Sequence, residues 1–341
     1  MAGEDKAGPS MTGRARRAAA LLPLTVAVAC AASGCAAPAG AGVGPGPRSG
    51  SPAAVASPAP GDPPAVRASP AAADQAPGQA GDRAITPGGV VIRHLTLADG
   101  TAVTTARFTG AIRFVLHCGT QDPGPLCAGK VTDGQRVTPS ERPMLLAAFN
   151  GGFKLSAGAG GYEQQGRIIS KLRPGLASLV IYDSGAAAIG IWGHGVPQPG
   201  QPVYSVRQNL VPLVLHGRPT AASAANWGNW GGTVTGVDDT ARSALGQNAR
   251  GQFIYVASMS ATPPDMAAAL VKAGAVIGME LDINQEWVQF DFAARPGGPL
   301  RKAITDQWRP ANQYLTGWTR DFIAVLAPTA AGQGSGHHPV A

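Results

Sequence analysis

The central strand of the fold is predicted by the sequence Gly278-Met279-Glu280-Leu281-Asp282-Ile283-Asn284-Gln285-Glu286-Trp287. Because side chains alternate along a strand, Glu280, Asp282 and Asn284 share one face and apolar side chains occupy the other. Only 14% of the chain is charged, and a strand that follows a helical crossover is usually covered on both faces. Two carboxylates buried there would need arginine, metal or substrate partners. The pattern therefore predicts a functional site, and a strand with one solvated face is the alternative.

The residues before this strand predict a helix that connects it to an earlier strand. Residues 252–259 have the composition of a strand, Ser260 or Thr262 can cap a helix, and Gly274 can end it before the strand 275–283 begins. A strand, helix and strand of this length imply a parallel pair with a right-handed crossover. Ligands tend to bind at the carboxyl ends of such strands, where the acidic side chains lie.

Apolar alternating runs bounded by glycine and proline predict further strands at residues 89–96, 102–108, 113–117, 144–149, 177–182, 187–192 and 210–215. We therefore predict an α+β fold of mixed α/β type, a strand-rich single domain with a mixed β-sheet and at least one βαβ crossover. The sequence contains no phosphate-loop, nucleophile-elbow or zinc-protease motif. Neither a nucleotide cofactor nor a nucleic-acid partner is indicated.

The N-terminus predicts export. Arg14, Arg16 and Arg17 precede the apolar run 18–32, which is too short and too rich in alanine for a good membrane span and is typical of a signal peptide. The run ends in Ala32-Ser33-Gly34-Cys35, which resembles a bacterial lipobox. Residues 1–35 are thus predicted to be a signal peptide with a lipobox, and lipid on Cys35 would anchor the chain on the outer face of the cell membrane. An ordinary signal peptide that leaves Cys35 unpaired is the alternative.

Three more segments follow the signal peptide. Residues 36–85 are rich in alanine, proline and glycine and predict a disordered tether, because they have hardly any large apolar side chain to bury. Residues 86–328 are predicted to form the domain, and residues 329–341 a disordered tail. The formal net charge of +7 favours anionic partners such as wall polymers or lipid headgroups.

The cysteines predict one disulfide. The chain has four cysteines; Cys30 leaves with the signal peptide and Cys35 carries lipid, so Cys118 and Cys127 remain as a pair. The residues between them are turn formers that can bring the two ends together, whereas a metal site would need further soft ligands.

Other segments have the pattern of a site. The apolar run 144–149 ends in Asn150-Gly151-Gly152-Phe153, where two glycines allow close approach of a ligand to the backbone; a hairpin turn at Asn-Gly is the alternative. In Thr240-Ala241-Arg242-Ser243-Ala244-Leu245-Gly246, the arginine offers a fork of donors to an anionic oxygen cluster. Arg207-Gln208-Asn209 places polar groups before the predicted strand 210–215.

Together these segments resemble the phosphodiester glycosidase family, in order over roughly residues 145–326. Residues 150–153 are similar to the family's Asn-Gly-Gly-Phe, and residues 208–217 are similar to a strand of the family that is preceded by a glutamine. Residues 242–246 are similar to the family's Arg-Thr-Ala-Ile-Gly. The segment from Leu281-Asp282 onward is similar to its Leu-Asp-Gly-Gly-Gly-Ser-Ser. In this chain Ile283-Asn284-Gln285-Glu286-Trp287 replaces the glycine-serine run. Thr319-Arg320-Asp321-Phe322 falls where the family has a closing strand that contains arginine.

Together with the predicted lipid anchor, the resemblance implies a surface-anchored hydrolase of sugar-1-phosphodiester or related glycosidic bonds in cell-wall or extracellular polysaccharide. A non-catalytic glycan-binding or envelope-remodelling lipoprotein on the same fold is the alternative, and a structural role in envelope assembly is a third. The implied catalytic residues are Glu280, Asp282, Arg242 and Asn150. The implied substrate-binding residues are Gly151, Gly152, Gln208, Asn209, Asn284, Trp227, Trp230, Arg320 and Asp321.

Two mechanisms remain open at this point. In one, Glu280 or Asp282 protonates the leaving oxygen or activates water, Arg242 binds phosphate and Asn150 orients the sugar. In the other, Glu280, Asp282 and Asn284 bind a divalent cation such as calcium, which clamps the phosphodiester. The spacing of two carboxylates on one strand face does not choose between a retaining and an inverting course.

A tryptophan-containing loop is the last candidate. Trp227 and Trp230 lie in Asn226-Trp227-Gly228-Asn229-Trp230-Gly231-Gly232, which is rich in glycine and asparagine. Flat apolar faces flanked by amides suit sugar rings, so these side chains are predicted to bind substrate. A loop that packs back on the domain is the alternative.

Overall fold

The computed structural model describes residues 84–86, 89–224, 227–234 and 236–328. All of them fall within one compact unit of the chain, residues 73–341. The predicted signal peptide, the lipidation site at Cys35, nearly all of the tether 36–85 and the tail 329–341 lie outside the described residues and stay predictions. Neither helix of the described chain is long and apolar enough to cross a bilayer.

The described residues form strands in three sheets, with two helices and a few single 3₁₀ turns. The strands are β1 (Ala84–Thr86), β2 (Val90–Thr96), β3 (Ala102–Phe108), β4 (Arg113–His117), β5 (Leu145–Asn150), β6 (Tyr162–Gln164), β7 (Arg167–Ser170), β8 (Ala177–Tyr182), β9 (Ala187–Trp192), β10 (Gly195–Val196), β11 (Val203–Gln208), β12 (Val214–Leu215), β13 (Arg218–Pro219), β14 (Thr240–Asn248), β15 (Phe253–Ala261), β16 (Ala275–Ile283), β17 (Phe290–Ala293), β18 (Leu300–Lys302) and β19 (Phe322–Leu326). The helices are α1 (Pro263–Lys272) and α2 (Gln313–Thr316), and the 3₁₀ turns are Gly124–Leu126, Arg142–Met144, Leu155–Ala157, Ala221–Ala224 and Trp227–Trp230.

The largest sheet has eight strands in the order β1-β2-β3-β15-β14-β16-β12-β13. A six-stranded sheet has the order β10-β9-β8-β11-β6-β7, and a five-stranded sheet the order β18-β17-β5-β19-β4. Among the named strands of the described chain, every hydrogen-bonded pair is antiparallel except the two-residue pair of β9 with β10. The predicted α+β class is therefore wrong, because the fold is β-rich with mostly antiparallel sheets and only short helical segments.

The predicted crossover exists with a different strand pairing. Helix α1 connects β15 to β16, but β14 lies between these strands and pairs antiparallel with each of them. β15 and β16 therefore run in the same direction without sharing hydrogen bonds, and the predicted parallel pair is wrong. The sequence could not show this, because β14 comes from residues that precede the segment of strand, helix and strand.

The ends of α1 agree with the sequence prediction. Thr262 is the N-cap residue, and the Asp265 carboxylate accepts a hydrogen bond of 2.8 Å from its backbone N–H. Gly274 follows the helix with a φ of 93°, a conformation that favours glycine. The buried Leu270 of α1 packs so closely on the sheet that a Cβ on Gly246 or Gly278 would lie 2.8 or 2.5 Å from its side chain.

A single large core joins the three sheets. Phe108 of β3, Phe149 of β5 and Leu179 of β8 belong to the same buried cluster although their strands lie in different sheets. Phe149 stacks on Phe290 with ring centroids 5.7 Å apart, and burial of each such side chain contributes about 1.5 to 3 kcal/mol. This core fixes the ends of β5, β14, β16 and β19 relative to one another.

The predicted disulfide is confirmed. Cys118 and Cys127 are bridged, with Cα atoms 6.6 Å apart, and both residues are buried. The bridge connects the end of β4 to the first 3₁₀ turn and closes a loop that contains Asp122.

Candidate functional site

The segments singled out in the sequence come together in one region of the fold. This region contains the ends of β5, β11 and β16, part of β14, and the start of β19. The turn after β5 is fixed to β16 because the Asp282 N–H donates to the Gly151 carbonyl at 2.8 Å. The Asn209 amide, just after β11, donates to the Glu280 carbonyl at 2.8 Å and accepts from the Phe153 N–H at 3.2 Å. Residues far apart in sequence are thus joined by short hydrogen bonds into one cluster.

Asn150 lies at the centre of this cluster and is fully engaged within the protein. Its Nδ2 donates to Ser243 Oγ at 2.8 Å, and its Oδ1 accepts from the Tyr255 hydroxyl at 3.0 Å and from the Gln289 N–H at 3.2 Å. Ser243 in turn donates to the Asp282 carbonyl at 2.8 Å. Asn150 therefore positions β16 in this structure, and it is 2% exposed.

The two glycines after Asn150 make room for an internal ion pair. A Cβ on Gly151 would lie 1.9 Å from Asp321 Oδ2, and a Cβ on Gly152 would lie 2.9 Å from Arg207 Cζ. The pair itself is close, with Arg207 Nε 2.7 Å from Asp321 Oδ2 and Nη2 3.2 Å from Oδ1. Arg207 also donates to the carbonyl oxygens of Phe153 and Gln208. Gly151 and Gly152 are required here by protein packing.

Gln208, predicted to bind substrate, is also an internal cross-link. Its Oε1 accepts from the backbone N–H groups of Gly161 and Arg173 at 3.0 and 2.8 Å, and its Nε2 donates to the Arg173 carbonyl and to Ser178 Oγ. All four of its amide hydrogen-bonding positions are thus used, and the residue is fully buried.

Glu280 and Arg242 form a buried ion pair. Arg242 Nη1 lies 2.8 Å from Glu280 Oε1, and the guanidinium also donates to the carbonyls of Ala261, Trp230 and Asp238 at 2.9 to 3.1 Å. Both side chains are at most 1% exposed. Burial raises the pKa of Glu280 to about 8; Arg242 lowers it, and the nearby Asp282 raises it further. The donors of Arg242 are committed to protein oxygens, so this arginine is not placed to receive a phosphate.

Asp282 and Arg320 form a second ion pair two residues further along β16. Asp282 Oδ2 lies 2.7 Å from Arg320 Nη2, and Oδ1 accepts from the Ile283 N–H at 3.0 Å. Burial raises the pKa of Asp282 to about 7, although the positive charge of Arg320 lowers it. The Arg320 guanidinium lies 4.9 Å from the ring centroid of Trp287, which is partly exposed. A carboxyl whose pKa is raised towards neutral pH can serve as a general acid or base.

Asn284 differs from the prediction. β16 ends at Ile283, and Asn284 has a φ of 72°, so it does not continue the alternation of Glu280 and Asp282. Its Oδ1 accepts from the Val234 N–H at 2.9 Å, and its Nδ2 donates to the Gly232 carbonyl at 3.3 Å. Asn284 therefore holds the loop that follows the tryptophan segment.

The tryptophan segment packs on the domain through Trp230. This indole is 2% exposed and donates from Nε1 to the Ala222 carbonyl at 2.9 Å. Trp227 begins the 3₁₀ turn Trp227–Trp230. The arrangement of Trp230 corresponds to the alternative of a loop packed against the domain.

The residues proposed for calcium do not fit a cation in this arrangement. Glu280 is bound by Arg242, Asp282 by Arg320, and the Asn284 oxygen by a backbone N–H. Within the described part of the chain, no three His, Cys, Asp or Glu side chains form a metal-binding group. Calcium therefore stays a prediction, and no step of the chemistry is assigned to it.

Sequence reasoning missed several residues that build the cluster. Arg207, Ser243, Tyr255 and Trp287 all contact the site residues directly or through one hydrogen bond. Arg207 and Ser243 lie in segments that the sequence had marked, and an arginine inside an otherwise apolar strand was the available signal. Asp122, which lies 3.9 Å from Arg320, had no such signal because its loop reads as a turn.

No family model matches the chain, and no curated protein matches its sequence. Among solved structures, the chain is similar to the catalytic domain of zebrafish N-acetylglucosamine-1-phosphodiester alpha-N-acetylglucosaminidase auto-inhibited by its pro-peptide, with 14% identity, 71% of this chain and 83% of that chain covered, and a TM-score of 0.45. It is also similar to a hypothetical protein from Synechocystis, with 14% identity, 70% of this chain and 62% of that chain covered, and a TM-score of 0.41. Both are distant similarities of fold.

Proposed function

We propose that this chain is an exported hydrolase that cleaves sugar-1-phosphodiester or related glycosidic bonds in cell-wall or extracellular polysaccharide. The observation that carries the proposal is the Asp282–Arg320 pair at the point where the four marked segments meet. Those segments resemble phosphodiester glycosidase motifs, and in the fold they are joined by direct hydrogen bonds. Asp282 is the residue of the family's most specific motif that this chain retains.

The chemistry follows from the two charges. Because the pKa of Asp282 lies near 7, its carboxyl can take up and release a proton at neutral pH, as a general acid or base must. Arg320 carries a permanent positive charge that suits the oxygens of a phosphodiester. In this proposal Arg320 takes the phosphate-binding role first predicted for Arg242, since Arg242 is occupied by Glu280 and three backbone carbonyls.

The predicted lipid anchor at Cys35 and the tether 36–85 complete the proposal. A lipid at the N-terminus would hold the domain on the outer face of the cell membrane, and a proline-rich tether would let it reach polymers beyond the surface. The proposed partners are therefore a carbohydrate or wall-glycopolymer substrate and the membrane.

Activity on defined substrates tests the proposal. Full-length protein is assayed on a panel of sugar-1-phosphodiesters and on matched neutral glycosides, with and without a chelator. We expect release of free sugar from the phosphodiesters, faster than from neutral glycosides, and loss of turnover in Asp282→Asn but not in the exposed control Asp306→Asn. Absence of hydrolysis across the whole panel would overturn the proposal, and a loss with chelator alone would restore the calcium mechanism.

A non-catalytic glycan-binding lipoprotein is the second candidate. It is favoured by the segment after Asp282, where Asn284 is tied to the loop at residues 232–234 and Trp287 covers Arg320 in place of a glycine-serine run. Binding of a wall-glycan fragment without any turnover would favour this candidate.

A further inference from the structure

The disulfide-closed loop between β4 and the first 3₁₀ turn is docked on the segment that carries Arg320. The backbone N–H of Thr120 donates to the Trp318 carbonyl at 3.0 Å, and those of Gln121 and Asp122 donate to the Thr319 carbonyl at 2.9 and 3.0 Å. The approach is so close that a Cβ on Gly119 would lie 2.4 Å from the Thr319 carbonyl oxygen. The bridge and these hydrogen bonds together fix the position of Asp122.

The Asp122 carboxylate faces Arg320. Its Oδ2 lies 3.9 Å from Arg320 Nε, and both of its oxygens are 3.2 Å from the Leu155 N–H. Arg320 Nε is buried and has no hydrogen-bond partner among the described residues. One guanidinium therefore lies between two carboxylates, Asp282 on its Nη2 and Asp122 on the side of its Nε.

Asp122 is also the most accessible of three acids near the two arginines. Its side chain is 16% exposed, compared with 7% for Asp282 and 0% for Glu280. Burial and the charge of Asp321 raise the pKa of Asp122, while Arg207 and Arg320 lower it. Glycosidases hold two carboxyl groups roughly 5 to 10 Å apart across the bond they cleave. Asp122 and Asp282 lie against two different nitrogens of one guanidinium and are both more exposed than Glu280, so they are the candidates for such a pair.

We propose that Asp122 is the second catalytic carboxylate of the site and acts with Asp282 across Arg320. This inference rests on the proposed function. The Asp282 carboxyl gives its proton to the leaving oxygen as the bond between that oxygen and the anomeric carbon breaks. A water oxygen forms the new bond to the anomeric carbon, and its proton goes to the Asp122 carboxylate. The products are the free sugar and a phosphate monoester, and proton exchange with solvent restores both carboxyls.

Kinetics of Asp122 variants test the catalytic role. For Asp122→Asn we expect kcat to fall about 10²-fold or more with KM changed less than about threefold, and one limb of the pH–rate profile to disappear. Formate should restore part of the turnover of Asp122→Ala, because it replaces the missing carboxylate. The control Asp306→Asn, at an exposed position, should match the wild type. An Asp122→Asn enzyme with kcat within about threefold of the wild type would overturn the inference and leave the proposed function standing.

A titration tests the shared guanidinium without any substrate. The aspartate carboxyl pKa values of the full-length protein are measured by NMR in the wild type and in Arg320→Gln. Because Arg320 lowers the pKa of both Asp122 and Asp282, we expect both values to rise in the variant. A rise for Asp282 alone would show that Asp122 lies outside the site and would overturn the inference. If the wild type hydrolyses nothing on the panel, the proposed function and the catalytic role of Asp122 are both wrong. The titration then still tests whether Asp122 and Asp282 share Arg320.

Discussion

Two ion pairs on the same strand differ in how far the surrounding protein occupies each arginine. Glu280–Arg242 and Asp282–Arg320 join the same charges at 2.8 and 2.7 Å, two residues apart on β16. Arg242 also binds three backbone carbonyls, whereas Arg320 binds the Gly152 carbonyl, and its buried Nε has no hydrogen-bond partner among the described residues, with Asp122 Oδ2 3.9 Å away. Arg242 therefore makes four hydrogen bonds to protein oxygens through Nε, Nη1 and Nη2, whereas the Nε of Arg320 makes none.

The largest expected effect is the loss of Arg242. Arg242→Met leaves Glu280 and three carbonyls without their donor, and removal of one partner of a buried pair costs about 3 to 5 kcal/mol. Arg320→Met leaves fewer acceptors unpaired, namely Asp282 and the Gly152 carbonyl, so we expect about half that loss. Urea unfolding of both variants at pH 7 measures the difference. Equal losses would contradict the division into a structural and a functional pair.

The acids should show the opposite order in turnover. Asp282→Asn keeps the size and most hydrogen bonds of the side chain and removes the charge, so we expect a loss of about 10² or more in kcat with the fold intact. Glu280→Gln, on the same strand face, should leave kcat within about threefold of the wild type. Steady-state kinetics beside thermal melts separates the two results. Unchanged turnover in Asp282→Asn would remove that residue from the site.

The disulfide links the second pair to the rest of the fold. A bridge that closes a loop this short should contribute roughly 2 to 3 kcal/mol. We expect Cys118→Ala with Cys127→Ala to lose about that much in urea unfolding and to lose turnover as well, because the loop places Asp122 beside Arg320. A variant that is destabilised but keeps full turnover would show that the bridge serves stability alone.

Local patterns in the sequence predicted local structure well. The bounds of β3, β4, β8, β9 and β16 agree with those read from alternation, and α1 begins and ends at the predicted caps. The predicted strand 210–215 shrinks to Val214–Leu215, since Leu210 has a φ of 56°. β14 was not predicted as a strand, because Arg242, Ser243 and Gln247 interrupt its apolar pattern and only the ion pair with Glu280 makes Arg242 compatible with burial.

The rest of the fold and of the site depends on pairing between residues far apart in the sequence, which local patterns do not predict. The sequence placed Arg242, Asp282 and Arg320 in one candidate site, but it could not tell which arginine pairs with which acid, because that depends on sheet order. The insertion of β14 between β15 and β16 changed the fold class for the same reason. Asp122 reaches the site only through the docking of a disulfide loop on the segment before β19, which no local pattern encodes.

A third buried acid sharpens the comparison of the two pairs. Asp291 of β17 is held by amides, with Gln307 Nε2 at 2.9 Å from Oδ1 and Gln289 Nε2 at 2.5 Å from Oδ2. Burial raises the pKa of Asp291 to about 7, although these hydrogen bonds lower it. Glu280 and Asp282 have pKa values raised in the same direction. Between about pH 4 and pH 8 these three carboxyls therefore bind more protons in the folded state than in the unfolded state, and their contribution to the free energy of unfolding falls as the pH rises through this window.

The smallest predicted effect measures how much of this pH dependence comes from Asp291. The stability that comes from its raised pKa is present below about pH 4 and is lost as the pH rises to about 7. We expect Asp291→Asn, which cannot ionise, to reduce the fall in unfolding free energy between pH 5 and pH 7 by roughly 1 to 2 kcal/mol. Urea unfolding at both pH values measures this for the variant and the wild type, with Asp306→Asn as the exposed control. If Asp291→Asn leaves the pH dependence unchanged, the fall in the free energy of unfolding comes from Glu280 and Asp282. The acids of the two arginine pairs, rather than the amide-bound acid, would then be the groups whose ionisation destabilises the fold.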